Sequence, residues 1–164
     1  MIPATRQIEV DAVDTFLASP KTLQGLPPTW RDSSWDGEYQ AVWNIEDNQG
    51  VTSGQLRFCS QKSNRLITSV SVIYRSRAIT RIDLDPATVC HRNPPWAPAD
   101  APATVCGPHA HRWVDNRRHI LTQEDWDLPC RIPLPATVRR LGQGLLWLAD
   151  EINLNLGPDQ RGFE

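Results

Sequence analysis

All four histidines of the chain, His91, His109, His111 and His119, lie between positions 90 and 119, with two of its four cysteines and four arginines. The stretch opens Cys90-His91-Arg92-Asn93-Pro94-Pro95-Trp96. Beyond a Pro/Ala-rich spacer it closes Cys106-Gly107-Pro108-His109-Ala110-His111-Arg112-Trp113 and runs on to His119. Imidazole titrates near neutrality, so one ring can take a proton while another supplies one. That division of labour suits phosphodiester cleavage, with His91, His109 and His111 as the acid–base set. Arg92, Arg112 and Arg117 would neutralise charge building on the phosphoryl oxygens. Asn93 would orient an imidazole or the substrate, and Trp96 and Trp113 offer flat faces for stacking a base.

Two other readings of the same residues stay open. Cys90, His91, Cys106, His109 and His111, with Cys130 beyond, are sulfur and imidazole ligands of the kind zinc takes, and Cys106-x-x-His109 is a permitted spacing. The set lacks a second tight pair, and adjacent Cys90 and His91 rarely serve one ion, so no metal or cofactor is assigned from it. The third reading is structural: a loop of His, Trp and Pro knitted to a sheet, since chance His-x-His pairs are common. The chain holds no Gly-rich phosphate loop, nucleophile elbow, HExxH or CxxC motif. Cys59, within a strand, reads as a small buried apolar residue and not a nucleophile.

The 164-residue length suits one α+β domain spanning 1–164 with its own core. No apolar run approaches the roughly 18–20 residues that cross a bilayer. The opening Met1-Ile2-Pro3-Ala4-Thr5-Arg6 has neither the basic start nor the apolar core of a signal peptide. These features point to a soluble, cytoplasmic protein without a membrane partner, its cysteines thiols or metal ligands instead of disulfides. The net charge of −2 hides an asymmetry: −5 over residues 1–50, +6 over 51–140 and −3 over 141–164. A basic centre between acidic ends suits a phosphate-bearing partner. Arg supplies 15 of the 17 basic residues, which favours planar, bidentate anion recognition.

The elements that must position these side chains follow from periodicity. Gln7 to Ala18 has helical spacing of apolar residues, ended by Ser19-Pro20. Residues 19–37 read as an ordered loop. From Glu38 the period becomes two, and four strands follow: Glu38 to Glu46, Val51 to Cys59, Leu66 to Arg75 and Arg77 to Leu84. Tight turns between them make an antiparallel meander. Residues 86–108 are too proline-rich for regular structure and read as a long loop. His109 to Val114 resumes as a strand, which puts His109 and His111 on one face, and Leu128 to Leu134 is an edge candidate. A last helix opens at Pro135-Ala136-Thr137, its stripe Val138, Leu141, Leu145, Leu148 and Ile152, and ends at Gly157-Pro158. Gly142 and Gly144 weaken it and allow close packing on the sheet. Arg139 and Arg140 fall in its first turn, against the helix dipole.

The run His91-Arg92-Asn93-Pro94, followed by Gly107-Pro108-His109-Ala110-His111-Arg112-Trp113, resembles a family of short proteins from prophages and bacterial genomic islands. In that family a strand ending Asp-Leu or Asp-Ile precedes the His-x-Asn-Pro element, and Arg81-Ile82-Asp83-Leu84 stands there in this chain. The resemblance implies shared site residues and a mobile-element setting, and no particular reaction. Its pattern does not require cysteine beside the histidines, which favours histidines acting by themselves. The leading expectation is a small metal-independent nuclease of toxin type, acting on RNA, with a cognate neutralising protein. The alternatives are a non-catalytic interaction protein, such as a phage-encoded inhibitor of a host defence complex whose basic segment mimics or covers a nucleic-acid surface, and a zinc-stabilised binding module.

Overall fold

β-Branched and aromatic residues alternate with polar ones from Glu38 to Asp83, and that period of two builds the frame of the molecule. The computed structural model describes residues 3–164. Strands β3 (Glu38–Asp47), β4 (Thr52–Gln61), β5 (Thr68–Tyr74) and β6 (Arg77–Asp83) form the expected antiparallel meander. Its core face carries Ala41, Trp43 and Ile45 opposite Leu56 and Phe58, then Val70, Val72 and Ile82. Helix α1 (Ala4–Ala18) packs there through Val10, Val13 and Phe16. The fold is α+β, with an N-terminal and a C-terminal helix and a mostly antiparallel sheet.

The stretch expected as an irregular loop contains β1 (Lys21–Leu23) and β2 (Arg31–Asp32), both paired with β3. Residues 86–108 likewise hold a short hairpin, β7 (Cys90–Arg92) against β8 (Thr104–Cys106), apart from the main sheet. Prolines flank these strands without interrupting their ladder. The strand expected from His109 stops at β9 (His109–His111), and the chain turns at once into helix α2 (Trp113–Thr122). That helix escapes a hydrophobicity reading because its core stripe of Trp113, Asn116, Ile120 and Leu121 includes a fully buried asparagine. Strand β10 (Ile132–Pro133) then pairs with β9, which pairs with β6.

Helix α3 (Leu141–Glu151) begins six residues later than Pro135. Gln143 sets the start: its side-chain carbonyl accepts from the backbone N–H groups of Arg139 (2.8 Å) and Arg140 (3.1 Å). Arg139 and Arg140 therefore precede the helix instead of occupying its first turn. Strand β11 (Leu154–Asn155) closes the sheet beside β1. The expectation for Gly144 holds. A Cβ there would lie 2.7 Å from Ile82 Cδ1, so the missing side chain lets α3 settle on β6. Gly144→Ala should lower stability by about 1–3 kcal/mol, read as a lower urea midpoint at unchanged slope.

Candidate active site

Strand pairing puts Asp83 opposite His109 and Arg81 opposite His111. Between them Ile82 and Ala110, both fully buried, turn into the core. Alternation then gives Arg81, Asp83, His109 and His111 one shared position on the other face of the sheet. A histidine on that face would normally be wet, yet the His109 side chain is only 2% exposed and that of His111 10%. The cover is the β7–β8 hairpin, whose His91 ring lies 5.1 Å from the ring of His109, which in turn lies 5.1 Å from that of His111.

The three imidazoles therefore meet, and two carboxylates join them. His91 Nε2 is 2.9 Å from Asp85 Oδ2. His111 Nε2 and His109 Nε2 stand 3.2 and 3.5 Å from Asp83 Oδ2. The other nitrogens of the inner pair are tied to backbone: His109 Nδ1 donates to the Gly107 carbonyl (2.9 Å) and His111 Nδ1 to that of Leu128 (2.5 Å). Arg81 Nε and Nη2 both donate to Asp83 Oδ1, at 2.9 and 2.6 Å. Burial opposes a charge on Asp83, but the facing His111 and the Arg81 guanidinium hold its carboxyl down at about 2. Burial pushes His109 below the usual imidazole value, and the Gly107 carbonyl and Asp83 only partly offset it. Of the three rings His91 is the one solvent reaches, at 34% exposure.

The remaining residues expected at a site fall elsewhere. Asn93 clamps backbone: it accepts from Arg131 N–H (2.7 Å) and donates to the carbonyls of Arg131 (2.8 Å) and Pro102 (2.7 Å). Arg112 makes a two-pronged pair with Asp115, and Arg117 pairs with Asp14 of α1. Trp113 is buried against Trp126 and donates its indole N–H to Asp14 (2.7 Å). Arg92 stays exposed on β7. Trp96 stacks on His119 at 4.6 Å, and both line a groove of about 770 Å³ with Pro98, Val114 and Arg118.

The cysteine expectation is corrected. Cys90 and Cys106 face each other across β7 and β8 and form a disulfide, so neither is a thiol or a ligand. A spacing of sixteen residues does not reveal that a hairpin brings the two together. Cys59 and Cys130 are free, and burial pushes both thiols up, Cys130 to about 11, the reverse of what a nucleophile needs. The disulfide holds the hairpin that carries His91 over the inner pair. Reduction should raise backbone hydrogen exchange in β7 and β8 at least about tenfold while the meander stays protected, read by mass spectrometry with and without dithiothreitol.

Arg81, Asp83 and Asp85 were not among the site residues expected from the sequence. The available signal was the Asp83-Leu84-Asp85 run at the end of a predicted strand, the point where a chain leaves the sheet. None of the described helices is long and apolar enough to cross a membrane. The chain matches no family model, no curated protein and no solved structure.

Proposed function

We propose that this chain is a small nuclease, ribonuclease-like and of toxin type, that cleaves phosphodiesters at the edge of its sheet. The observation that carries the reading is the meeting of His91, His109 and His111 with Asp83 and Asp85. His91 is the working base. Its Nε2 donates to Asp85, which leaves Nδ1 to take the proton of an RNA 2′-hydroxyl as that oxygen bonds to phosphorus. The bond to the 5′-oxygen breaks, and that oxygen leaves with its electron pair and takes a proton from solvent. Arg57, Ser71, Arg81 and His111 stand opposite one another on β4, β5, β6 and β9, a row that would steer a phosphate chain toward the site. A mobile-element origin and a neutralising partner protein belong to the same proposal, as does a cytoplasmic site of action, where the Cys90–Cys106 bond would be open to reduction.

A specific observation favours the second reading, a non-catalytic interaction protein. Val114 is 66% exposed and Trp96 44%, and both line the groove beside α2, a surface that suits a protein partner. One assay separates the two readings. The full chain is incubated with single-stranded RNA and with DNA of the same sequence, without added metal and, in a parallel arm, with zinc or cobalt chloride. The nuclease reading expects RNA cleavage that is lost in His91→Ala. No cleavage of either strand, or full activity in His91→Ala, would overturn it.

A further inference from the structure

We infer that Asp83, His109 and His111 form a binding site for one divalent transition-metal ion of the zinc or cobalt class. The three residues each offer a ligand atom within 4.8 Å of the others, and Asp83 Oδ2, His109 Nε2 and His111 Nε2 are the atoms that face one another. The carboxylate oxygen lies 3.2 Å from one nitrogen and 3.5 Å from the other. An ion bound tetrahedrally at roughly 2.0–2.1 Å sets its ligands about 3.3 Å apart. Two imidazoles and one carboxylate are also a ligand set that such ions select.

Proton placement points the same way. A backbone carbonyl only accepts, so the contacts to Gly107 and Leu128 put the ring hydrogen of each inner histidine on Nδ1. With Nδ1 so engaged, Nε2 is the nitrogen each ring turns to Asp83 Oδ2, and the one placed to reach an ion beside that oxygen. His91 and Asp85, which with His109 make a second candidate set, instead share a direct hydrogen bond.

The surroundings of the triad are those of a ligand shell. Each imidazole is oriented by a carbonyl on its far nitrogen. Arg81 occupies Asp83 Oδ1 and leaves Oδ2 for the ion. The ligands sit on paired strands, and the disulfided hairpin roofs them. Three protein ligands leave a further coordination position, which a water could fill. The inference rests on this geometry and is independent of the nuclease reading. If it holds, two of the histidines weighed as zinc ligands from the sequence do bind an ion, with a carboxylate where cysteines were considered.

The test uses the full chain, dialysed against a chelator and titrated with cobalt chloride while the visible absorption of bound cobalt is followed. Zinc retained after equilibrium dialysis is counted separately. One equivalent of either metal is expected, with binding weakened about 100-fold or more in Asp83→Asn and His111→Ala. Because these side chains are buried and their variants could misfold, the native chain is the deciding sample: no saturable one-to-one binding of cobalt or zinc overturns the inference. Binding lost in His91→Ala but kept in His111→Ala overturns it too, by moving the ion to the Asp85 set. Metal bound without any cleavage of nucleic acid sinks the nuclease reading and leaves the metal site standing. Cleavage without metal binding does the opposite.

Discussion

His91→Ala should slow RNA cleavage about 100- to 10,000-fold, the range over which a positioned acid–base group acts. The ring is the accessible member of its cluster, and the alanine variant removes it from a hairpin fixed by the Cys90–Cys106 bond. The fold should therefore survive, and an unchanged thermal midpoint is part of the expected result. Asp85→Asn should cost less, because an asparagine still accepts from His91 Nε2 while failing to stabilise the imidazolium. The order of the two losses is the informative part. If Asp85→Asn were the worse of the two, Asp85 would be the reacting group and His91 its support. Equal sensitivity to His119→Ala would shift the chemistry to the groove beneath Trp96.

Asn116→Ala should lower stability by about 3 kcal/mol, equivalent to roughly 6–12 °C of melting temperature for a chain this size. Asn116 is fully buried and donates to the carbonyls of Arg112 (2.8 Å) and Cys130 (3.1 Å). It also accepts from the Cys130 N–H at 2.8 Å. Alanine would strand both backbone groups of Cys130 without water, and an unmade buried bond costs more than a made one contributes. Beyond the stability loss, the segment should loosen around Leu128, whose carbonyl orients His111. Cobalt affinity should then fall in Asn116→Ala although the residue touches no ligand atom. A melting shift below about 2 °C would show that water or a backbone adjustment replaces the clamp.

Local pattern made several parts of the molecule legible. The meander follows from alternation, because a strand with one dry face repeats every two residues whatever its neighbours are. Helix α3 follows from its leucine stripe, and the need for glycine at position 144 from the close approach that stripe must make. His109 and His111 share a face because they are two apart on a strand. Helix α2 was hidden for an equally local reason: a buried asparagine, satisfied by three hydrogen bonds, occupies a core position and breaks the apolar count. Asn93 looked like a site residue because polar side chains beside a histidine do; its partners are main-chain groups that only the folded chain brings near.

The amino-acid order by itself determined the α+β composition, the order of the central strands and the gathering of every histidine into one stretch. Tertiary structure alone decided which carboxylates face those histidines, that Cys90 and Cys106 bond, and that two of the three central rings lie out of solvent. The physical reason is range. Periodicity is set by backbone geometry over a few residues. The pairing of β6 with β9, and the folding of the proline-rich hairpin over them, depend on contacts between distant segments that no local spacing encodes.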